Sequence, residues 1–129
     1  MGLVPDTLTF DCANTLSVAT FWAAARGYEL DYDPNDLEDD GVVLRDASAQ
    51  PKMYFQSVPE PKVVKNRVHL DLRPTGSMAE EVERLKALGA SVRGYIEEGG
   101  SFWTQMRDPE GNELCVLRGP EDGWSPDEL

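Results

Sequence analysis

Apolar and polar residues alternate over "DTLTFDCA", residues 6–13. Leu8, Phe10 and Cys12 fall on one side and Thr7, Thr9 and Asp11 on the other, the period of a half-buried strand. The period then changes. In "NTLSVATFWAAARGY", Val18, Phe21, Trp22 and Ala25 recur at helical spacing behind the capping candidates Asn14 and Thr15, and Gly27 suits the left-handed position after a last turn. This predicts a helix of about three turns. Three shorter runs follow, "YELDYD", "GVVLRDA" and "PKMYFQSV", which read as strands separated by "PNDLEDDG" and "SAQ". "VPEPKVVKN" then reads as a connector, because Pro59 and Pro61 suit neither a strand ladder nor a helix interior.

After the connector the pattern starts again. "RVHLDLRP" sets Val68, Leu70 and Leu72 opposite His69 and Asp71. "SMAEEVERLKALGA" follows as a helix, with Ser77 and Glu80 as a capping box, Met78, Val82, Leu85 and Leu88 as the apolar stripe, and Gly89 as the stop. "SVRGYIEE", "SFWTQMRD" and "ELCVLRG" read as strands, the last two joined by "DPEGN", where Pro109 and Gly111 suit the second and fourth positions of a type I turn. The two halves also share local text, "LTFDC" against "VHLDL", as an internal duplication would. The expected fold class is α+β. One domain over 1–129 is built of two β-α-β-β-β modules, about 6–58 and about 67–118, with a connector at about 59–66 and a loosely attached acidic tail at about 119–129. Each sheet should carry a polar concave side and an apolar side under its helix.

Composition narrows the partners. The 129 residues suffice for a core without disulfides. A formal charge of −12 disfavours nucleic acid, which needs a basic surface, and would concentrate cationic small molecules in an acidic cleft or simply keep the protein soluble. Cys12 and Cys115 lie far apart in apolar runs, without a C-x-x-C pair, and are expected as reduced, buried thiols. No stretch reads as a signal peptide or approaches the about 18 apolar residues of a membrane span, so a soluble cytoplasmic protein that does not engage membrane is expected.

His69 is the single histidine, and it can be read as a metal ligand, a general base or a hydrogen-bonded structural ring. Asp11 and Asp71 recur at matching repeat positions, where they either form an acidic pair lining the concave side or bond neighbouring loops. Trp22 sits on the apolar stripe and is read as core. Trp103 alternates with Phe102, so one of the two should wall the polar side. Lys62, Lys65 and Arg67 are either a solvated connector or a hold for an anionic group.

"LTFDCAN…FWAAARGY", "MYFQSVPEPKVVKNRVHLDL", "EEVERLKALGA" and "WTQMRDPEGNELCVL", spanning about residues 7 to 118, resemble the vicinal oxygen chelate superfamily. That superfamily holds glyoxalase I, extradiol dioxygenases, fosfomycin resistance enzymes and bleomycin resistance proteins, and the likeness is nearest to small actinobacterial-type glyoxalase-like domains. The resemblance implies paired β-α-β-β-β modules forming a cup, often completed by a second subunit, so a homodimer is expected. In metal-dependent members a divalent ion sits in the cup on His or Gln and Glu side chains.

His69 matches the histidine position of the second module. The first module offers Thr7 or Thr9 in that place, a poor ligand either way. Where the last strand should supply glutamate, seven residues after Asp108, stands Cys115; Glu113 lies on the same strand face but about 6.6 Å away by strand rise. Gln56 is a further polar group on the last strand of the first module. A catalytic ion needs about three protein ligands, so the metal site is expected to be degenerate, with His69 its remaining ligand and no cofactor bound. The function implied is binding of a small-molecule ligand, cationic or aromatic, in the cup, with Thr7, Thr9, Asp11, Gln56, Asp71, Trp103 and Cys115 lining it. The alternative is a metal-dependent lyase, isomerase or dioxygenase of the glyoxalase type, with His69 as ligand or base and Glu113 or Cys115 assisting.

Overall fold

The computed structural model describes residues 2–31, 41–45 and 51–127. Most of the expected turns "PNDLEDDG" and "SAQ", and the ends of the "YELDYD" and "GVVLRDA" runs, lie outside the described residues. The chain divides into two compact units, Met1–Val63 and Val64–Leu129. Each is an α+β module with one four-stranded mixed sheet and one long helix.

In the first unit, β1 (Thr7–Cys12) pairs in parallel with β4 (Lys52–Ser57), which continues through β3 (Gly41–Arg45) to the short β2 (Glu29–Asp31). Helix α1 (Thr15–Arg26) starts where the Asn14 side chain accepts from the Ser17 N–H, and ends at Gly27, whose φ of 69° is open to glycine at little cost. Its Val18, Ala19, Phe21 and Trp22 are buried, packing a core shared with Val42, Leu44, Met53 and Phe55.

The second unit repeats the order. Strand β5 (Leu70–Leu72) pairs in parallel with β8 (Glu113–Leu117), followed by β7 (Ser101–Arg107) and β6 (Ser91–Glu98). Helix α2 (Met78–Ala87) is capped by the Ser77 hydroxyl, which accepts from the Glu80 N–H, and buries Met78, Val82 and Leu85. Leu88 was expected on this stripe but caps the helix end and is 37 % exposed. Val68 departs further: it lies outside the ladder and is 75 % exposed. The reason is local. Only Leu70–Leu72 pair with β8, while the segment before them is held through the Asn66 N–H, which donates to Glu113 Oε2 at 3.0 Å.

The tail is docked through residue 124 rather than loosely attached. Asp122 Oδ2 accepts from the Met78 N–H at 2.7 Å and the Gly119 N–H at 2.8 Å, so a carboxylate distant in sequence satisfies an orphan donor at the positive end of α2. The Arg73 guanidinium lies 4.1 Å from the Trp124 ring centre. Gly119 is required here, because a Cβ at that position would stand 2.1 Å from the Gly76 carbonyl oxygen.

Candidate functional site

Register determines which side chains meet. Asp71 on β5 lies beside Cys115 on β8, and Cys115 lies beside Gln105 on β7. Alternation places Glu113, Leu117, Trp103 and Arg107 on that same face and sends Leu114, Val116, Thr104 and Met106 to the helix side. Of the Phe102 and Trp103 alternatives, it is therefore Trp103 that shares a face with Cys115. His69, two residues before Asp71, lies just ahead of β5 and reaches the same side. In β6 the register shifts between Val92 and Gly94, leaving Arg93 unpaired and free to lean over the face, as a bulged residue does. The result is a hollow of about 30 Å³ lined by Lys65, His69, Arg93, Gln105, Glu113 and Cys115 among others. It has room for an ion or one or two waters, or for one end of a larger molecule.

Two of these groups, His69 and Cys115, converge with Asp71 beside them. His69 Nε2 lies 3.2 Å from Asp71 Oδ1, and the donor atoms of His69, Asp71 and Cys115 all lie within 4.8 Å of one another. The imidazole and the carboxylate are open to solvent, at 39 % and 55 % exposure, whereas Cys115 is buried. Burial, then the Asp71 charge and a hydrogen bond to that carboxylate, push the Cys115 thiol up to about 11, with Lys65 pulling weakly the other way. The group is a neutral thiol at pH 7. Its folded ionisation lies above the ordinary 9.0, so the stability it contributes is present below that pH and is lost as pH rises through about 11.

Thiolate is the reactive form of cysteine, so iodoacetamide at pH 8 should alkylate Cys115 on the order of 100-fold more slowly than a free thiol. Asp71→Asn should speed that reaction by removing the charge that opposes ionisation. Peptide-level mass spectrometry over a time course measures both, and a wild-type rate equal to that of free cysteine contradicts the assignment.

Glu113, expected as a partner of His69, is buried and lines the same hollow. Its Oε2 accepts from the Asn66 N–H, and Asn66 Nδ2 donates to Asn112 Oδ1 at 2.9 Å. The carboxylate thus ties the segment carrying Lys65 to the start of β8. It stands outside the three-donor cluster.

On the first sheet, Thr7 pairs with Lys52, Thr9 with Tyr54 and Asp11 with Gln56. Thr7 Oγ1 is occupied by Asp6, donating to Oδ2 at 2.5 Å. Asp11 and Gln56 are exposed neighbours, as Asp71 and Cys115 are neighbours on the second sheet. By register, Thr9, Asp11 and Gln56 are the counterparts of His69, Asp71 and Cys115. The structure therefore groups Thr7, Thr9, Asp11 and Gln56 on one sheet and Asp71, Trp103, Glu113, Cys115 and His69 on the other.

Sequence spacing left Asp71 and Asp11 either as an acidic pair or as bonds to neighbouring loops, and missed Asp71 as a third donor beside His69. The available signal was the i, i+2 spacing of His69 and Asp71, which puts both on one side of a strand. The lining role of Arg93 was missed as well, because a bulge leaves no mark in the alternation.

These residues fit a divalent ion better than expected. Zinc at catalytic sites takes three protein ligands among imidazole nitrogen, thiolate and carboxylate and keeps one position open. Metal–ligand lengths of about 2.0–2.3 Å imply donor separations of about 3.3–3.8 Å, so the cluster needs only a modest closing of two solvent-exposed side chains.

The glyoxalase-like domain model matches residues 7–117. No curated protein matches the sequence. Among solved structures, a glyoxalase/bleomycin resistance protein/dioxygenase family enzyme from Burkholderia phytofirmans is similar at 13 % identity, covering 86 % of this chain and 94 % of its own, with a TM-score of 0.65. The bleomycin-binding protein of Streptomyces verticillus, solved with copper(II)-bleomycin, is similar at 13 % identity, with 92 % and 98 % covered and a TM-score of 0.58. Lactoylglutathione lyase from Agrobacterium tumefaciens is similar at 17 % identity, with 92 % and 94 % covered and a TM-score of 0.61. At these identities the likeness establishes the fold and leaves the ligand to the residues of the site.

Proposed function

Because the chain belongs to the glyoxalase-like domain family, whose fold it shares with a bleomycin-binding protein and a lyase, we propose that it binds a small molecule on the polar face of the second sheet. The observation that carries this reading is the hollow itself, a concave, partly buried patch of convergent polar groups. Trp103, on the same face and two residues along β7 from Gln105, supplies a planar wall.

The lining refines the ligand class. A net charge of −12 would draw cations from a distance. At contact range the hollow presents Lys65 and Arg93, with Glu113 already engaged by Asn66. These groups favour an anionic group on an aromatic or planar body over the cationic compound that overall charge suggests. The test is a thermal-shift series on chelator-treated protein with salicylate and benzamidine as probes of opposite charge. Salicylate should raise the melting temperature, as any ligand of the folded state does, and Lys65→Ala with Arg93→Ala should abolish the shift. Stabilisation by benzamidine alone, or by neither, overturns the reading.

The three-donor cluster favours a second reading, a lyase, isomerase or dioxygenase of the glyoxalase type. His69 serves there as ligand or base, with Cys115 or Glu113 assisting. A divalent ion held by His69, Asp71 and Cys115 would supply Lewis-acid polarisation of a substrate oxygen. The chain's own part is to position that oxygen with Lys65 and Arg93 and to offer His69 as a proton acceptor when it is not a ligand. Turnover of methylglyoxal–thiol adducts or catechols supports this reading over simple binding.

A further inference from the structure

We propose that the C-terminal segment Gly119–Trp124 is a strap that fixes edge strand β5 in place, and with it His69 and Asp71 on the polar face, with Asp122 as its positioning residue. This rests on the site of the proposed function and names what holds that site in position.

The need for a strap lies in how little of β5 is paired. The strand stands at the edge of the second sheet, and its ladder with β8 runs over Leu70–Leu72 alone. The equivalent strand of the first sheet, β1, pairs with β4 over its whole length, Thr7–Cys12. So short an edge ladder belongs to the part of a fold that opens first. Groups outside the ladder therefore decide how firmly β5 is held.

Two clamps stand on either side of the site. Ahead of it, the Asn66 N–H donates to Glu113 Oε2 and Asn66 Nδ2 donates to Asn112 Oδ1, at the start of β8. Behind it, the junction between β5 and α2 is bound to the chain that leaves the end of β8. Arg73 Nη1 donates to the Arg118 carbonyl at 2.8 Å, just past the pairing of Leu72 with Val116, and its guanidinium lies against the Trp124 ring. The Glu121 N–H donates to the Gly76 carbonyl at 3.2 Å. Asp122 closes the strap, because its Oδ2 accepts from both the Gly119 N–H and the Met78 N–H and so ties the segment to the start of α2. His69 and Asp71 lie between the two clamps.

The strap is shaped for close approach. A Cβ on Gly119 would meet not only the Gly76 carbonyl but also Pro74 Cγ, at 3.0 Å. Pro120 opens the short 3-10 turn Pro120–Asp122, and Gly123 ends it at a φ of 85°, a left-handed conformation that glycine adopts freely. Asp122 adds charge to geometry, since its carboxylate stands at the positive end of the helix dipole of α2.

Amide exchange on the full-length, ligand-free protein tests the strap. His69 is a second reporter, because the imidazole proton signals of a single histidine have no others to overlap. Asp122→Ala should lower protection across Leu70–Leu72 at least about 10-fold, the scale for leaving donors unpaired, while β6 and β7 hold theirs to within about 3-fold. It should also displace the His69 signals. Asp122→Asn keeps a carbonyl oxygen that can accept both N–H bonds, so it should restore protection to within about 3-fold of wild type and return the His69 signals. Should Asp122→Ala fold poorly, Trp124→Ala removes the ring beside Arg73 and should lower protection in the same residues about 3-fold. Unchanged protection at Leu70–Leu72, an equal loss throughout the second unit, His69 signals at their wild-type positions, or no rescue by asparagine each overturns the proposal. None of these readings involves salicylate, so a strap that fails and a ligand that fails to bind are separate results.

Discussion

Trp22→Ala should lower the unfolding free energy of the first unit by about 3–5 kcal/mol, the range for emptying a large aromatic site in a core. Trp22 is 1 % exposed. Its ring centre lies 5.3 Å from Phe10 and 5.4 Å from Phe21, both nearly edge-to-face, and Phe10 in turn lies 5.3 Å from Phe55. One ring thus joins α1 to β1, with β4 reached through Phe10, and its deletion removes apolar burial and two favourable ring contacts together. Trp22→Phe keeps most of the volume and should recover more than half of the loss. Urea unfolding followed by circular dichroism measures both. A loss below about 1 kcal/mol for Trp22→Ala would mean that the helix is not held by this ring. Because total stability is commonly about 5–15 kcal/mol, the full loss would leave this sheet close to unfolding.

The same ring shows why the fold was legible in the sequence. Val18, Phe21 and Trp22 declare a helix face by spacing alone, and Asn14 and Gly27 mark its ends through side-chain and backbone preferences that act within a few residues. Ser77 does the same for α2. The duplication was equally readable, since "LTFDC" and "VHLDL" each open a module whose first strand pairs in parallel with its last.

The site was less legible because it depends on which strands lie side by side. Nothing within ten residues of Asp71 indicates that Cys115 is its neighbour; that follows from β5 pairing with β8 across the whole module. Asp122 illustrates the same limit, since its role at the start of α2 is invisible to a rule that looks for caps nearby. Val68 fails for the opposite reason. Alternation continues through it, but the ladder begins only at Leu70, and ahead of it the chain is tied at Asn66, whose N–H donates to Glu113.

Asp108→Ala should cost the second unit about 3–5 kcal/mol and loosen the His69, Asp71 and Cys115 cluster with it. Asp108 is 3 % exposed. Its Oδ1 accepts from the Glu110 and Asn112 N–H groups, and its Oδ2 accepts from Asn112 Nδ2, each at 2.9 Å. Alanine would leave those donors with no carboxylate, and a partly or fully buried donor left unpaired costs about 1–3 kcal/mol, the sum being less than additive because the three share one centre. The turn itself would persist, since the Asp108 N–H donates to the Asn112 carbonyl and the Gly111 N–H to the Asp108 carbonyl through the backbone. Asp108→Asn is the discriminating partner variant. Its amide oxygen can still accept the two backbone N–H bonds, but its NH₂ would face the NH₂ of Asn112, so about half of the loss should remain. The consequence reaches the site because Asn112 is also bonded to Asn66, whose N–H holds Glu113 at the start of the strand that presents Cys115. Fraying at that end should raise amide exchange at Asn112 and along β8 to Cys115 in step with the loss of stability. Unchanged amide exchange at Cys115 in an Asp108→Ala protein that has lost about 3 kcal/mol or more would show that the hairpin turn and the donor cluster are independent.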